Sequence, residues 1–249
     1  MITWGISANS HDAALAVFDS KRRGLGTNTS LNLKFASHAE RFSGIKNDAH
    51  LNFKLIDYAK QWGEPNEVVW YERPFRKTVR QFRAGQGWNW SENNIKKYLK
   101  GYGITCPIHY NSHHHSHASA GYYTSPFVDA TVVCIDSIGE FETLTIWDGQ
   151  DSKLKQMHSQ GYPHSIGLWY SAMTQRVGLK PNEDEYILMG MAAYGDPNRL
   201  FMDILHDFID KTGIGYDPSI KIKHNLHRGC KWWRPDLTTE QDMYDIAAA

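Results

Sequence analysis

Four of the thirteen histidines of this chain lie within five positions, in the stretch SHHHSHASAG at residues 112–121. They are His113, His114, His115 and His117. Residues four apart share one face of a helix, so His113 and His117 could bind a single divalent ion, whereas His114 and His115 would point elsewhere. A solvated or helix-capping histidine cluster has the same pattern, so both interpretations stay open at this level.

A metal site normally needs a third ligand, and Asp136 is the natural candidate. It follows the apolar stretch at residues 131–135, which predicts a buried strand, and functional residues of α/β sheets are usually found where strands end. The surrounding letters CIDSIGE predict a turn. Two histidines and one carboxylate leave open positions for water or substrate and suit iron(II) first, with manganese or zinc as alternatives.

A second constellation lies in the stretch GISANSHDAAL at residues 5–15, a polar turn between two apolar segments. The backbone N–H groups of such a turn can bind phosphate, and its small residues permit close approach. His11 could act as a general base and Asp12 could orient it. Asn9 and Ser10 are candidates for substrate or nucleotide binding. An ordinary hairpin with polar residues at its tip is the alternative.

Basic residues cluster after two predicted strands, in ERFSGIKND and YERPFRK. They are Arg41, Lys46, Arg73, Arg76 and Lys77. Guanidinium groups suit forked contacts with phosphate or carboxylate, and we take Arg41, Lys46 and Arg73 as the binding candidates. The neighbouring Glu40 and Glu72 could instead pair with these cations as ordinary surface charge.

The elements that must position these residues alternate between strand and helix patterns. Strands are predicted at residues 2–8, 13–18, 31–40, 67–74, 106–112 and 129–137, followed by a hairpin at 142–158 that turns at Asp148-Gly149. Residues 20–30 are expected to form a loop. Helices are predicted at 51–62, 91–99, 112–123, 163–177 and 198–211, and Thr238/Thr239 with Gln241/Asp242 predict a capped C-terminal helix. This order indicates an α/β protein with a mixed sheet.

Composition restricts the classes of function. The 249 residues carry 27 basic and 27 acidic side chains, which does not favour a general polyanion-binding role. Three widely spaced cysteines and the lack of a signal-peptide pattern or an apolar run of membrane-spanning length favour the cytoplasm and no membrane partner. The segment at 221–235 alternates basic and aromatic residues, but a half-buried loop is favoured there over nucleic-acid binding.

Seven stretches, taken in order, resemble the NodU/CmcH-type O-carbamoyltransferases. They are HDAALAVF, AERFSGIKND, WYERPF, HHHSHASAGYYTSPF, IDSIGEFETLTIW, PHSIGLWYSAMTQRVGL and EYILMGMAAYG. The resemblance implies an actin-like (ASKHA, ribonuclease H-like) fold related to the TsaD-type tRNA enzymes. It also implies that residues 1–249 are the N-terminal part of a TsaD-like domain. The second half of that domain and a YrdC-like domain would then have to come from a further part of the protein or from a partner chain.

The same resemblance implies a reaction. Members transfer a carbamoyl group from carbamoyl phosphate to a hydroxyl of a small acceptor, using ATP to form a carbamoyl-adenylate in the YrdC-like domain. Matching the motifs residue by residue gives three groups: metal ligands His113, His117 and Asp136; transfer-site residues His11 and Asp12; nucleotide-cleft residues Gly139 and Glu140. One departure is Asn47, which stands where the family has the histidine of a KHD motif.

Two alternatives to this reading have different consequences. One is a non-catalytic or split module that needs a partner chain to complete its cleft. The other is a different ASKHA enzyme, such as a TsaD-type tRNA-modifying protein. The acceptor stays open in either case, because a sugar, a nucleoside-like compound and a hydroxylated base would all fit the pattern.

Overall fold

The computed structural model describes residues 1–22, 29–83, 85–210 and 219–249. The chain divides into two units, Met1–Ser116 and His117–Ala249. The division falls within one continuous helix, so each unit is described by itself. Among the described residues, none of the helices has both the length and the apolar character that crossing a membrane requires.

The first unit is built on a five-stranded sheet. Its elements are β1 (Ile2–Ser7), β2 (Ala14–Arg22), β3 (Thr29–His38), α1 (Glu40–Ser43), α2 (Phe53–Lys60), β4 (Glu67–Trp70), α3 (Pro74–Arg83), α4 (Ile95–Lys100), β5 (Ile108–Tyr110) and the first turn of α5 (His113–Tyr123). The strand order is β3-β2-β1-β4-β5. Strand β1 pairs antiparallel with β2 and parallel with β4. The predicted mixed α/β sheet is therefore confirmed, and its order is compatible with the ribonuclease H-like sheet that the resemblance implies.

Alternating side chains of the central strands form the core of this unit. Trp4 and Ile6 of β1 point to the same face as Leu15 of β2 and Val68 of β4, and all four are buried. Helix α2 covers this face with its own apolar stripe, which consists of Leu55, Ile56 and Ala59. Burial of one face fixes the register, because a slip of one residue would turn every core side chain to the other face.

Helix α3 corrects the sequence interpretation. Pro74 was expected only to end a strand, but β4 ends at Trp70 and Pro74 begins a helix. Proline is favoured in the first turn of a helix because its missing N–H has no intrahelical partner there. The helical pattern was hard to read, since the buried residues of α3 are Lys77 and Thr78 rather than apolar side chains.

The second unit combines a three-stranded antiparallel sheet with a helical layer. Its elements after α5 are β6 (Ala130–Gly139), β7 (Glu142–Gln150), β8 (Lys153–Gly161), α6 (Ile166–Arg176), α7 (Glu185–Met191), α8 (Pro197–Phe208) and α9 (Glu240–Ala248). Thr239 and Asp242 form the capping box at the start of α9 that the sequence predicts. Helix α7 was not predicted.

Two predicted boundaries reach residues that the structure does not describe. Of the loop expected at 20–30, residues 20–22 belong to β2 and residues 29–30 belong to β3, while residues 23–28 lie outside the described part. The helix expected at 198–211 corresponds to α8, which ends at Phe208, and Lys211 lies outside the described residues.

The β7–β8 hairpin turns three residues later than predicted. Asp148 and Gly149 are strand residues paired with Lys155 and Leu154. The turn residues are Asp151 and Ser152, with φ of 47° and 67°, as a two-residue turn with two left-handed positions requires. Gly149 serves packing instead, because a Cβ at this position would lie 2.7 Å from the ring of Tyr122.

Candidate functional site

Helix α5 carries two of the predicted metal ligands one turn apart. It packs against the second sheet through Ala118, which forms a buried cluster with Cys134 of β6 and Trp147 of β7. The side chain of His117 is 52% exposed. Packing of the small residue Ala118 against the sheet therefore brings the exposed His117 beside β6.

Asp136 lies in a bulge of β6, not in a turn after it. Ile135 pairs with Leu144 and Gly139 pairs with Glu142, so residues 136–138 stand opposite the single residue 143. The strand continues to Gly139 before it turns, which corrects the expected position of the turn. Bulges of this kind redirect side chains and are common beside active sites.

The N-terminus of α6 holds this bulge in place. Ser165 is the N-cap of α6, and its hydroxyl lies 3.1 Å from the carbonyl oxygen of Asp136 and 2.7 Å from that of Ser137. The Oδ1 atom of Asp136 accepts a hydrogen bond from the N–H of Ser137 at 2.7 Å. A Cβ on Gly167 would lie 2.7–2.8 Å from backbone atoms of residues 136 and 137, so this helix end approaches as closely as glycine permits.

The structure brings together the three predicted metal ligands. The Nε2 atom of His117 lies 3.9 Å from Oδ2 of Asp136. One ligand atom from each of His113, His117 and Asp136 lies within 4.8 Å of the other two. Bonds of about 2.1 Å to one ion require only a small convergence of these side chains. Two imidazoles and one carboxylate fit a divalent transition metal with open positions.

The other two histidines of the cluster have different surroundings, as expected. His114 is buried at 2% exposure. The Nδ1 atom of His115 lies 2.7 Å from Oδ1 of Asn111. Burial, together with the positive charge of Arg73, lowers the pKa of His115. Neither histidine belongs to the three-ligand group.

The turn between β1 and β2 brings His11 and Asp12 together. The Nδ1 atom of His11 lies 2.9 Å from Oδ2 of Asp12, and the imidazole is 79% exposed. Asn9 and Asp12 have left-handed φ values of 62° and 55° and enclose Ser10 and His11 between them. This hydrogen bond favours the tautomer in which Nδ1 carries the proton and Nε2 can accept one.

Residues 46–50 form the neighbouring loop and stabilise this turn. The N–H of Asn9 donates to the carbonyl of Ala49 at 2.8 Å, and the N–H of Ala13 donates to that of Asp48 at 2.7 Å. Hydrogen bonds from the Ser43 side chain and from the backbone of His50 lower the pKa of Asp48. The predicted binding residue Lys46 belongs to this loop and is exposed.

Tyr71 is a residue of this region that the sequence analysis did not single out. Its ring packs edge-on against His113, with the centroids 5.5 Å apart, and its backbone N–H donates to the carbonyl oxygen of Ile6 in β1 at 3.2 Å. Burial is the main cause that raises the pKa of Tyr71. Tyr71 therefore connects the end of β1 to the first turn of α5. Its place in the stretch WYERPF, directly after a strand, was the available signal.

The basic residues occupy different environments. Arg41 is an exposed partner of Glu40 at 3.6 Å, and Arg73 is exposed at the start of α3. Lys77, in contrast, is buried and lies 2.7 Å from Glu72, so Glu72 pairs with Lys77 rather than with a neighbouring arginine. An arrangement of this kind does not suit Lys77 for a phosphate contact.

Gly139 and Glu140 lie at the β6–β7 turn of the second unit. Glu140 has a left-handed φ of 56° and is 1% exposed. Their assignment to a nucleotide cleft stays a prediction, as do the substrate contacts of Asn9, Ser10, Arg41, Lys46 and Arg73.

Comparison with known proteins gives a family match and several relatives that align with different shares of the chain. Residues 3–231 match the family described as "Carbamoyltransferase N-terminus". An uncharacterised protein of Synechocystis, sll1178, is 32% identical over 82% of this chain and 36% of its own length. The nodulation protein NolNO of Sinorhizobium fredii is 31% identical over 57% of this chain and 21% of its own length. The nodulation protein NolO of Bradyrhizobium diazoefficiens is 34% identical over 55% of this chain and 25% of its own length.

The chain thus spans little more than a third of the length of the Synechocystis protein and less of the nodulation proteins. Among solved structures, a Ppx/GppA phosphatase of Aquifex aeolicus aligns with 79% of this chain and 65% of its own. The identity is 13% and the TM-score is 0.34. A TM-score this low does not establish a shared fold.

Proposed function

The chain belongs to the carbamoyltransferase N-terminus family, and from this premise we propose that it transfers a carbamoyl group to a hydroxyl of a small acceptor. The donor is a carbamoyl-adenylate formed from carbamoyl phosphate and ATP. The observation that carries the proposal is the family match over residues 3–231. The close approach of His113, His117 and Asp136 supports it as an independent geometric feature.

In the proposed step, the acceptor oxygen forms a bond to the carbamoyl carbon. The bond from that carbon to the phosphate oxygen breaks, and AMP leaves with the electron pair. The proton of the acceptor hydroxyl passes to Nε2 of His11. Asp12 orients His11 through its 2.9 Å contact with Nδ1 and stabilises the imidazolium that forms.

His113, His117 and Asp136 are the residues that would hold a divalent ion, with iron(II) the first choice and manganese or zinc the alternatives. Such an ion would offset the charge of the phosphate oxygens of the donor. The exposed face of His117 leaves that side of the group open to a ligand.

The donor would also contact the chain beyond its phosphate group. We assign Asn9, Ser10, Arg41, Lys46 and Arg73 to donor or acceptor binding, and Gly139 and Glu140 to the nucleotide. Backbone N–H groups of a polar turn such as residues 10–12 are suited to stabilise the oxyanion that develops on the carbamoyl group.

The test uses the protein as expressed from its own gene, with radiolabelled carbamoyl phosphate, ATP and a panel of glucose, N-acetylglucosamine and adenosine as acceptors. We expect AMP release that requires carbamoyl phosphate, and label in an acid-stable product of at least one acceptor. Release of AMP that is independent of carbamoyl phosphate, or none at all, would overturn the proposal.

A variant pair tests the role of His11. We expect His11→Ala to reduce the transfer rate by about 100-fold or more, as removal of a general base does. The matched control is His109→Ala, because His109 is also an exposed histidine of the first unit beside a carboxylate, 3.3 Å from Glu67. Equal rates for the two variants would remove His11 from the mechanism.

A further inference from the structure

Lys77 is a buried cation of α3 that contacts the turn carrying His11. Lys77 is 6% exposed and Glu72 is 4% exposed. The Nζ atom of Lys77 lies 2.7 Å from Oε1 of Glu72 and donates to the carbonyl oxygen of Asn9 at 2.8 Å. A buried ammonium group is destabilising unless it is paired and hydrogen-bonded, so these two contacts account for its position.

The carbonyl that Lys77 binds lies at a strained part of the backbone. Asn9 and Asp12 both have left-handed φ values, which cost free energy in residues other than glycine and persist only where the surroundings hold them. The loop at residues 46–50 holds the turn through the backbone N–H groups of Asn9 and Ala13. Lys77 binds the carbonyl group of Asn9, so both backbone polar groups of this residue are hydrogen-bonded.

Helix α3 is itself well anchored beneath this contact. Thr78, which is fully buried, donates to the carbonyl of Pro74 at 3.0 Å. Asn93 donates to the hydroxyl of Thr78 at 2.8 Å. The ammonium group therefore projects from a fixed point of the fold toward a turn whose own conformation is unfavourable.

We propose that Lys77, paired with Glu72, is a positioning residue that sets the location of His11 through the carbonyl of Asn9. The inference rests on the proposed function, in which His11 accepts the proton of the acceptor. Lys77 acts through the backbone and touches no reacting atom. A shift of about 1 Å in a reacting group can lower a rate by about 100-fold, so loss of this contact would reduce turnover without removing any catalytic side chain.

The experiment removes the ion pair without leaving a buried charge alone. The double variant Lys77→Met/Glu72→Gln keeps the shape of both side chains. The matched control is Lys60→Met/Glu64→Gln, a solvent-facing Lys–Glu pair of the same unit at 3.4 Å. We expect kcat for carbamoyl transfer to fall about tenfold or more in the first variant, with KM for carbamoyl phosphate within about twofold. The control should keep both constants.

A second readout does not depend on turnover. Backbone hydrogen exchange at residues 9–13 should become faster in Lys77→Met/Glu72→Gln, while the amides of α2 keep their protection. Lys77→Arg retains the donor and the charge, and we expect it to restore most of the protection and of kcat.

The outcomes separate this inference from the proposed function. A wild-type protein without carbamoyl transfer overturns the proposed function, while the exchange experiment still tests whether Lys77 holds the turn. If the wild type is active and the double variant has the same kcat and the same hydrogen exchange at residues 9–13, the positioning role is overturned. Faster exchange throughout the first unit would also contradict it, because Lys77 would then stabilise the unit as a whole.

Discussion

Gly167 and Asp136 are in backbone contact across the start of α6 and the bulge of β6. A Cβ at position 167 would lie 2.8 Å from the carbonyl carbon of Asp136, a distance that side chains essentially never reach. The position of the Asp136 carboxylate beside His117 therefore depends on a glycine distant in sequence. Gly167 thus helps to determine the geometry of the candidate metal site, although it contributes no ligand.

Substitution of Gly167 should disturb the metal site. We expect Gly167→Ala to displace the bulge, to weaken Mn²⁺ binding about tenfold or more, and to lower the free energy of unfolding by about 1–3 kcal/mol through overpacking. Isothermal titration with Mn²⁺ and urea denaturation measure the two effects. Gly190→Ala in α7 is the control, because the space around a Cβ at that position is open. Equal metal affinity in both variants would contradict the role of Gly167.

The contact between Gly167 and Asp136 also explains which part of the site the sequence could predict. The pairing of His113 with His117 follows from helical spacing alone, since a period of 3.6 residues is local information. The bulge at Asp136 is different, because it depends on Ser165 and Gly167 about thirty residues further along the chain. A sequence pattern can identify the carboxylate, but it cannot determine a backbone irregularity that arises from tertiary contact.

The fold shows the same limit at α3 and at the β7–β8 turn. Alternating apolar residues predict the central strands correctly, because one face of each strand is buried. Helix α3 buries Lys77 and Thr78 instead, so the spacing of its apolar residues does not predict a helix. The Lys77–Glu72 pair likewise becomes apparent only in three dimensions. At the hairpin, the Asp148-Gly149 signal is misleading because Gly149 makes room for Tyr122.

Removal of one metal ligand should abolish stoichiometric binding. We expect about one divalent ion per chain after incubation with Fe²⁺ under anaerobic conditions. His113→Ala, His117→Ala and Asp136→Ala should each lower the affinity by about 100-fold or more, since even outer partners of metal ligands contribute about 10- to 100-fold. His115→Ala, from the same helix turn, should keep the affinity. Metal analysis after gel filtration makes the comparison. Equal loss in the His115 variant would contradict the three-ligand assignment.

The carboxylates around Arg199 make the stability of the second unit depend on pH. Hydrogen bonds from Thr239 and Arg199 hold the pKa of Asp242 well below its usual range. Contacts with the backbone of Asp196 and with Arg199 lower that of Asp245. The unfolded chain then binds more protons than the folded one at acid pH. The resulting stabilisation is present above about pH 4, the ordinary range of an aspartate, and is lost as the pH falls further.

Arg199→Met tests this linkage. Without the guanidinium group, the pKa values of Asp242 and Asp245 in the folded state should move toward their ordinary values. We therefore expect the variant to be less stable than wild type at pH 7, and the difference to shrink as the pH falls toward 3. Urea denaturation at both pH values measures it. Lys180→Met, which removes a surface partner of Glu183, should show no such convergence, and a constant difference for Arg199→Met would refute the linkage.

The observed position of the β7–β8 turn predicts that glycine substitutions at Ser152 in the turn and at Ser159 in β8 change stability in opposite directions. Ser152 has a left-handed φ of 67°, a conformation that costs about 1–2 kcal/mol in residues with a Cβ. We therefore expect Ser152→Gly to raise the free energy of unfolding by about 0.5–1 kcal/mol. Ser159→Gly is the control at an exposed strand position paired with Thr145, where glycine should be destabilising by about the same amount. Thermal unfolding of both variants decides the point, because a turn centred on Gly149 would make Ser152 a strand residue and give the two substitutions the same sign.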